Sequence, residues 1–379
     1  MAPSVLVLGG VGFIGRHFVA YLIENNLASR VRVADKVLPA TAYLSEKHRV
    51  VFADPRVEFK QSNLGNAASA ERAFALDDGS EFDYVFNLAA ETKYGQTEEV
   101  YHDKVYQVAM VVGNEAAKRK VKAFVEVSTA QVYESDKRPS TEESKLKPWT
   151  QLAKMKLKAE EDLRKIPGLN LIILRPAVVY GPNDILGITP RLIIGAVYRQ
   201  LQEEMKLLWT KDLKINTVHV YDVATALWAV TASPAEKGGR TTPLAPGTAE
   251  IYNLADKSDT DQGSINEHIQ AIFGIQTGYQ GTVISQFAKL NLDSVTEDVN
   301  DKHLQPWSDL CKNGGVANTP LTPYLDKELL KDNATSIDGS KIEKVFGFTY
   351  KHPVLTEESL RAVVTDFEAI GIWPKGTTK

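Results

Sequence analysis

An apolar strand that runs straight into three evenly spaced glycines leaves a chain few ways to fold. Val5 to Leu8 (VLVL) is followed at once by Gly9, Gly12 and Gly15 in GGVGFIG, and residues from Phe13 to Ile23 carry helical periodicity. An apolar run of four reads as a strand buried on both faces. Glycine permits a tight turn and lets the backbone approach a ligand closely. A second run, Val31 to Ala34, ends at Asp35. Strand, glycine loop, helix, strand and carboxylate within roughly 30 residues form a βαβ unit suited to a dinucleotide. The helix start offers free N–H groups and partial positive charge to a pyrophosphate. Asp35 is placed to accept hydrogen bonds from an adenosine ribose and to repel a 2′-phosphate, which favours NAD over NADP. Arg16 and Lys36 are nearby cations able to hold a phosphate, so NADP stays as the alternative.

Further strands are expected at residues 57–60, 84–88, 123–127 and 171–174, with helical stretches at 110–119 and across KPWTQLAKMKLKAEEDL from Lys147 to Leu163. Strands alternating with helices predict an α/β, doubly wound Rossmann parallel sheet. The pattern fades after Gly181. The expected division is a dinucleotide domain over 1–180 and a smaller, mixed substrate domain over 181–379, with the chain returning to the first near 215–230 and 249–256. Helices are expected at 190–206 and 263–272, a strand leading into a helix at 216–230, and a surface loop at 231–248. Residues 282–325 show little periodicity.

The formal net charge of −4 argues against broad attraction to nucleic acid or acidic membranes. The single cysteine, Cys311, allows no internal disulfide and no cysteine-based metal site. It reads as an incidental thiol, and no metal is expected. No apolar run reaches ~18 residues, and the N-terminus has no basic stretch or cleavage site. The expectation is a cytoplasmic protein that binds a small molecule.

The later motifs give the chain a family likeness. With NLAA at 87–90, VEVSTAQVY at 125–133, LRPAVVYGP at 174–182, TVHVYDVATA at 217–226, IYNLAD at 251–256 and DGSKIEKVFGF at 338–348, it resembles the extended short-chain dehydrogenase/reductases, which include the NAD-dependent epimerases and dehydratases. The resemblance implies NAD held by Gly9, Gly12, Phe13, Ile14, Gly15, Asp35, Leu88, Ala89, Ala90, Ser128, Lys156 and Pro176. It places the family's site hydroxyl on Thr129 and its ribose-binding lysine on Lys156. It also implies a homodimer through a helix pair.

The likeness breaks at one position. The family pattern Tyr-x-x-x-Lys-x-x-x-Glu falls on Leu152, Lys156 and Glu160. Positions i and i+4 share a helix face, so the lysine would stabilise a phenolate there; leucine moves no proton. The acidic pair of the 4,6-dehydratases is replaced by Ala130 and Gln131, and the diphosphate-binding arginine of many epimerases by Ile215. Any proton transfer must come from elsewhere. Tyr94 and Glu91, just past the fourth strand, are the candidates, since ligands bind at the carboxyl ends of such strands. Three readings stay open: hydride transfer on a hydroxy compound or sugar derivative with an atypical proton donor, isomerisation or elimination with tightly bound NAD, or a noncatalytic NAD-binding sensor or scaffold.

Overall fold

The computed structural model describes residues 2–236 and 247–379. Its centre is a parallel sheet of seven strands: β1 (Ser4–Leu8), β2 (Arg30–Asp35), β3 (Val57–Gln61), β4 (Tyr84–Asn87), β5 (Ala123–Val127), β6 (Leu171–Pro176) and, later in the chain, β10 (Glu250–Leu254). The order across the sheet is β10-β6-β5-β4-β1-β2-β3. The order reverses between β1 and β4, so the loops after these two strands part there and leave a crevice at their carboxyl ends. Short parallel pairs complete the strands: β7 (Val178–Tyr180) with β9 (Thr217–His219), and β8 (Met205–Leu207) with β11 (Thr277–Tyr279).

The connecting helices are α1 (Phe13–Glu24), α2 (Glu46–Phe52), α3 (Ala67–Phe74), α4 (Glu98–Tyr101), α5 (Gln107–Lys118), α6 (Gln151–Leu163), α7 (Thr189–Leu201) and α8 (Val220–Glu236). Toward the C-terminus follow α9 (Gln262–Phe273), α10 (Thr282–Leu290), α11 (Leu292–Asn313), α12 (Ser340–Phe346) and α13 (Glu357–Ala369). The sheet is covered on both faces by separate apolar clusters, one built around Val5, Val7, Phe18 and Leu227, the other around Leu6, Leu8, Phe74 and Phe124. A third cluster, with Leu192, Ile269, Trp307, Phe367 and Trp373, holds α7, α9, α11 and α13 together beyond the strand ends.

Several expected boundaries move. The helix expected over 190–206 ends at Leu201, and Met205–Leu207 is a strand paired with β11. The helix of the 216–230 segment continues to Glu236, six residues into the expected loop at 231–248; residues 237–246 of that loop lie outside the described residues. The unreadable stretch after Thr282 is mainly two helices. Pro306 inside α11 removes one backbone donor, and that is one reason the stretch reads poorly as a helix.

Two buried charge pairs join the sheet to α6. Glu126 on β5 is 0% exposed and Lys156 on α6 is 6% exposed; Lys156 Nζ donates to Glu126 Oε1 at 2.9 Å and to the Val127 carbonyl at 2.7 Å. Asn87 Nδ2 donates to the other Glu126 oxygen at 2.6 Å. One turn on, Glu160 takes a two-pronged contact from Arg175 of β6, at 3.1 and 2.5 Å. Arg175 also donates to Tyr133 Oη at 2.9 Å, and that phenol donates to Asn253 of β10 at 2.7 Å. Removing one partner of such a pair strands the other charge and costs roughly 3–5 kcal/mol. Arg175→Met is therefore expected to lose stability on that scale in urea unfolding. A loss under ~1 kcal/mol would mean that the pair behaves as a surface bridge.

The imidazoles of His17 on α1 and His48 on α2 meet edge to face at 4.7 Å, and His219 stacks on His352 at 3.9 Å, with Tyr221 between the two pairs. Burial holds His17 well below the usual imidazole range, His48 at about 3 and His219 at about 4. The folded values lie below the unfolded one, so the folded chain binds fewer protons in acid. The stability these histidines allow is complete above pH ~6.5 and is lost as pH falls below it, by about 1.4 kcal/mol per pH unit per histidine. His48→Asn should remove one such increment from the slope of unfolding free energy between pH 6.5 and 5. An unchanged slope would show that His48 titrates alike in both states.

Candidate functional site

The crevice at the β1/β4 reversal opens into a cavity of about 1050 Å³. Its dinucleotide end is built by the glycine loop. Gly9 has φ +74°, and a Cβ there would lie 2.7 Å from the Ala89 nitrogen, so the loops after β1 and β4 touch through backbone alone. A Cβ on Gly15 would lie 2.5 Å from Gly10 Cα and from the Gly9 carbonyl oxygen. Gly12 precedes α1 with no side chain capping the helix start, which leaves its N–H groups for an anion.

Asp35 ends β2 beside this loop. Its carboxylate accepts from Val11 N at 3.1 Å and Val37 N at 3.0 Å, and burial raises its pKa despite those bonds. Arg16 is not a free cation for a phosphate. Its guanidinium is spent on the carbonyls of Val11, Gly12, Ala42 and Tyr43, tying the glycine loop to the segment before α2. Burial lowers its pKa to about 10.

The cavity gathers every site residue proposed from the sequence, from Gly9 and Phe13 through Leu88 and Thr129 to Pro176. Ser128 Oγ is buried there without a hydrogen-bond partner among the described residues. A donor left unsatisfied in a cavity is costly until a ligand meets it. The open helix start, the carboxylate at the end of β2 and this orphaned hydroxyl fit a dinucleotide. Lys156 borders the same space, but its ammonium is already held by Glu126 and Val127. Burial pushes the Glu126 carboxyl above its usual range, against the opposing pull of Lys156.

Leu152 lies one turn before Lys156, 8% exposed, and packs with Tyr101, Val105 and Met155. The position that would carry a phenol is a small apolar patch at the cavity wall. Tyr94 borders the same cavity in a fixed hydrogen-bond chain. Thr150, which caps α6, accepts from Ala153 N at 3.1 Å and donates to Gln131 Oε1 at 2.9 Å. That orients the Gln131 amide so that its Nε2 donates to Tyr94 Oη at 2.8 Å. The phenol oxygen is thus an acceptor on its inner side, and its own proton is left for the cavity. Burial pushes the phenol up to about 12, so Tyr94 carries its proton at neutral pH. Glu91 is less free: it accepts from Lys93 N at 3.2 Å and lies 3.7 Å from Lys104. Thr129 Oγ1 accepts from Gln131 N at 3.2 Å.

Sequence reasoning did not single out Glu126, Thr150 or Arg191 as site residues. The signal for Glu126 was a lone carboxylate inside the otherwise apolar AFVEV strand, which demands a buried partner. Among the described residues no group of three or more His, Cys, Asp or Glu side chains could hold a metal ion, and no helix is long and apolar enough to cross a membrane.

Known proteins match this architecture. The solved UDP-glucose 4-epimerase of Thermotoga maritima with UDP-glucose superposes with a TM-score of 0.64 at 21% identity, over 96% of this chain and 98% of that one. The dTDP-glucose 4,6-dehydratase of Bacillus anthracis in complex with NAD gives 0.66 at 20% identity, over 97% of each. By sequence, an uncharacterized protein of Schizosaccharomyces pombe is 23% identical over 290 residues, 70% of this chain and 80% of the relative. UDP-arabinose 4-epimerase 1 of Arabidopsis thaliana is 31% identical over 201 residues, and the match spans 49% of this chain and about half, 46%, of that protein's length. The family profile described as the NAD dependent epimerase/dehydratase family matches residues 5–255. The chain belongs to the NAD dependent epimerase/dehydratase family.

Proposed function

We propose that this protein is an NAD-binding enzyme that moves a hydride to or from a small polar hydroxy compound or sugar derivative, with Tyr94 as its proton donor. The observation that carries this reading is the joining of a dinucleotide crevice and an oriented phenol in one cavity. NAD, when bound, supplies the hydride acceptor or donor.

The chain's own residues divide the remaining work. The N–H groups at the start of α1 hold the pyrophosphate, and Asp35 takes the adenosine ribose. Glu126 and Val127 take two of the three Lys156 donors and fix the side chain at the cavity wall, which leaves one N–H for a ligand there. Thr129 and Ser128 offer hydroxyls to the substrate oxygen. Tyr94 gives its proton to that oxygen when a carbonyl is reduced, and a phenolate must be tolerated afterwards. Gln131 Nε2, already donating to the phenol oxygen, is placed to stabilise that anion. A high phenol pKa favours this reduction direction over proton abstraction.

A second reading rests on the same Lys156 contacts: with the lysine spent on Glu126 and leucine at 152, the fold would keep NAD without turnover, as a sensor or scaffold. Two measurements separate the readings. Nucleotide fluorescence and calorimetry should show NADH binding to the purified chain. Asp35→Ala should weaken it by roughly tenfold or more, as loss of a charged hydrogen bond implies. No binding by the unaltered chain would end both readings. In a screen of hydroxy acids, polyols and sugar nucleotides followed at the nicotinamide absorbance, Tyr94→Phe should cut turnover by roughly 10²–10⁴-fold with NADH affinity kept. Turnover unaffected by Y94F would remove Tyr94 from the chemistry, and no turnover on any substrate would favour the sensor.

A further inference from the structure

Three of the cations that border the cavity are held within the protein, while Lys36 and Lys331 border it with no ion pair among the described residues. Arg16 is bonded to backbone carbonyls, Lys156 to Glu126, and Lys104 lies near Glu91. Arg191, in the first turn of α7, differs. Among the described residues it has no carboxylate at ion-pair distance, and its Nη1 is buried without a partner. Its hydrogen bond runs from Nη2 to Gln262 Oε1 at 3.3 Å. Burial lowers its pKa to about 10, which leaves it charged at neutral pH.

The surroundings explain why the charge stays unpaired. The carboxylate nearest in sequence, Asp184, is fully used by the backbone N–H groups of Leu186, Gly187, Ile188 and Thr189. Gln262 cannot turn away, because its Nε2 donates to the carbonyls of Leu208 and Thr210 at 2.9 and 3.1 Å. Its Oε1 is therefore held toward Arg191. Both side chains border the cavity, where Ile194, Met205, Leu207 and Trp209 supply an apolar wall. An unpaired guanidinium in such a setting is costly by itself and binds an entering anion strongly. Its planar fork fits two oxygens of one oxyanion.

We propose that Arg191 is the anchor for an oxyanion, a carboxylate or a phosphate ester, carried by the hydroxy compound that enters this end of the cavity. This rests on the cavity being the enzyme's substrate site and narrows its ligand to an acid. Gln262 positions the guanidinium; it does not contact the reacting atoms.

The test uses the full chain saturated with NAD. Inorganic phosphate, malonate and UDP are titrated separately, and binding is read by thermal shift and by the fluorescence of Trp149 and Trp209, which border the same cavity. Phosphate or malonate should raise the melting temperature of the unaltered chain. Arg191→Met should weaken that probe by roughly tenfold or more, with Arg191→Lys between. Without probe, R191M should be at least as stable as the parent, since an uncompensated, partly buried charge has been removed. A preference for UDP that R191M abolishes keeps the anchor and assigns its anion to a diphosphate; a preference for malonate or phosphate assigns a simple acid. The inference is overturned if R191M binds the probes as the parent does, if the parent binds none of them, or if R191M retains NAD but is destabilised. Should R191M not fold, Arg191→Gln carries the same comparison. A parent chain that binds NAD but no anion fails this inference alone; one that binds no NAD fails the reading beneath it.

Discussion

The ion pair between Glu126 and Lys156 sets the terms for the rest of the site. A carboxylate at the centre of a buried strand is tolerated only if a cation and further donors reach it. Here Lys156 comes from α6 and Asn87 from β4, so three elements are fixed by one charge. The same contacts hold α6 at a set height above the sheet. Thr150 then falls where it can orient Gln131, and Gln131 where it can orient Tyr94. A helix cap, an amide and a phenol become one rigid chain because a strand carries a glutamate where an apolar residue would otherwise serve.

This arrangement also explains how Leu152 is accommodated. A phenol at 152 would need its oxygen satisfied at the cavity wall, and a lysine free to stabilise its anion. Lys156 is not free, because its charge is balanced by Glu126. An apolar side chain at 152 removes the unsatisfied oxygen and closes a cluster with Tyr101, Val105 and Met155. Glu126 and Leu152 are thus physically consistent with each other. The second pair, Glu160 with Arg175, performs the ordinary task of bolting α6 to β6 and, through Tyr133 and Asn253, to the edge strand β10.

Legibility in the sequence follows how local the physics is. β1 and β4 were readable because each is a short apolar run cut off by a glycine or an asparagine, and both of its faces are buried; β3, VEFKQ with no buried position, was readable by its alternation. The glycine loop was readable because its steric demand acts over a few residues. The C-terminal third was not. β8 and β11 are three residues each and, among the described residues, pair only with each other, and α11 carries a proline within a largely polar sequence. The lone Glu126 stood in plain view in AFVEV, but its meaning needs Lys156 thirty positions on. Arg191 next to Pro190 looks like any charge in a first helical turn. Its lack of a partner appears only once Asp184 is seen to spend its oxygens on backbone.

The two ends of the cavity are built on opposite electrostatic plans. At the dinucleotide end, three charges are neutralised within the protein: Arg16 by carbonyls, Lys156 by Glu126, Asp35 in part by the N–H groups of Val11 and Val37. What faces the ligand there is oriented backbone, which costs nothing to reorganise when the ligand arrives. At the far end the wall is apolar and one guanidinium is left uncompensated. A protein gains no stability from that; replacing such a group by a hydrophobe is generally neutral or favourable. Its retention is understandable if the missing countercharge arrives with the ligand, so that the energy withheld from folding appears as selectivity for an acid over its neutral analogue. A neutral sugar would fill the same volume and leave Arg191 as it was, and discrimination between the two would draw on that unpaired guanidinium.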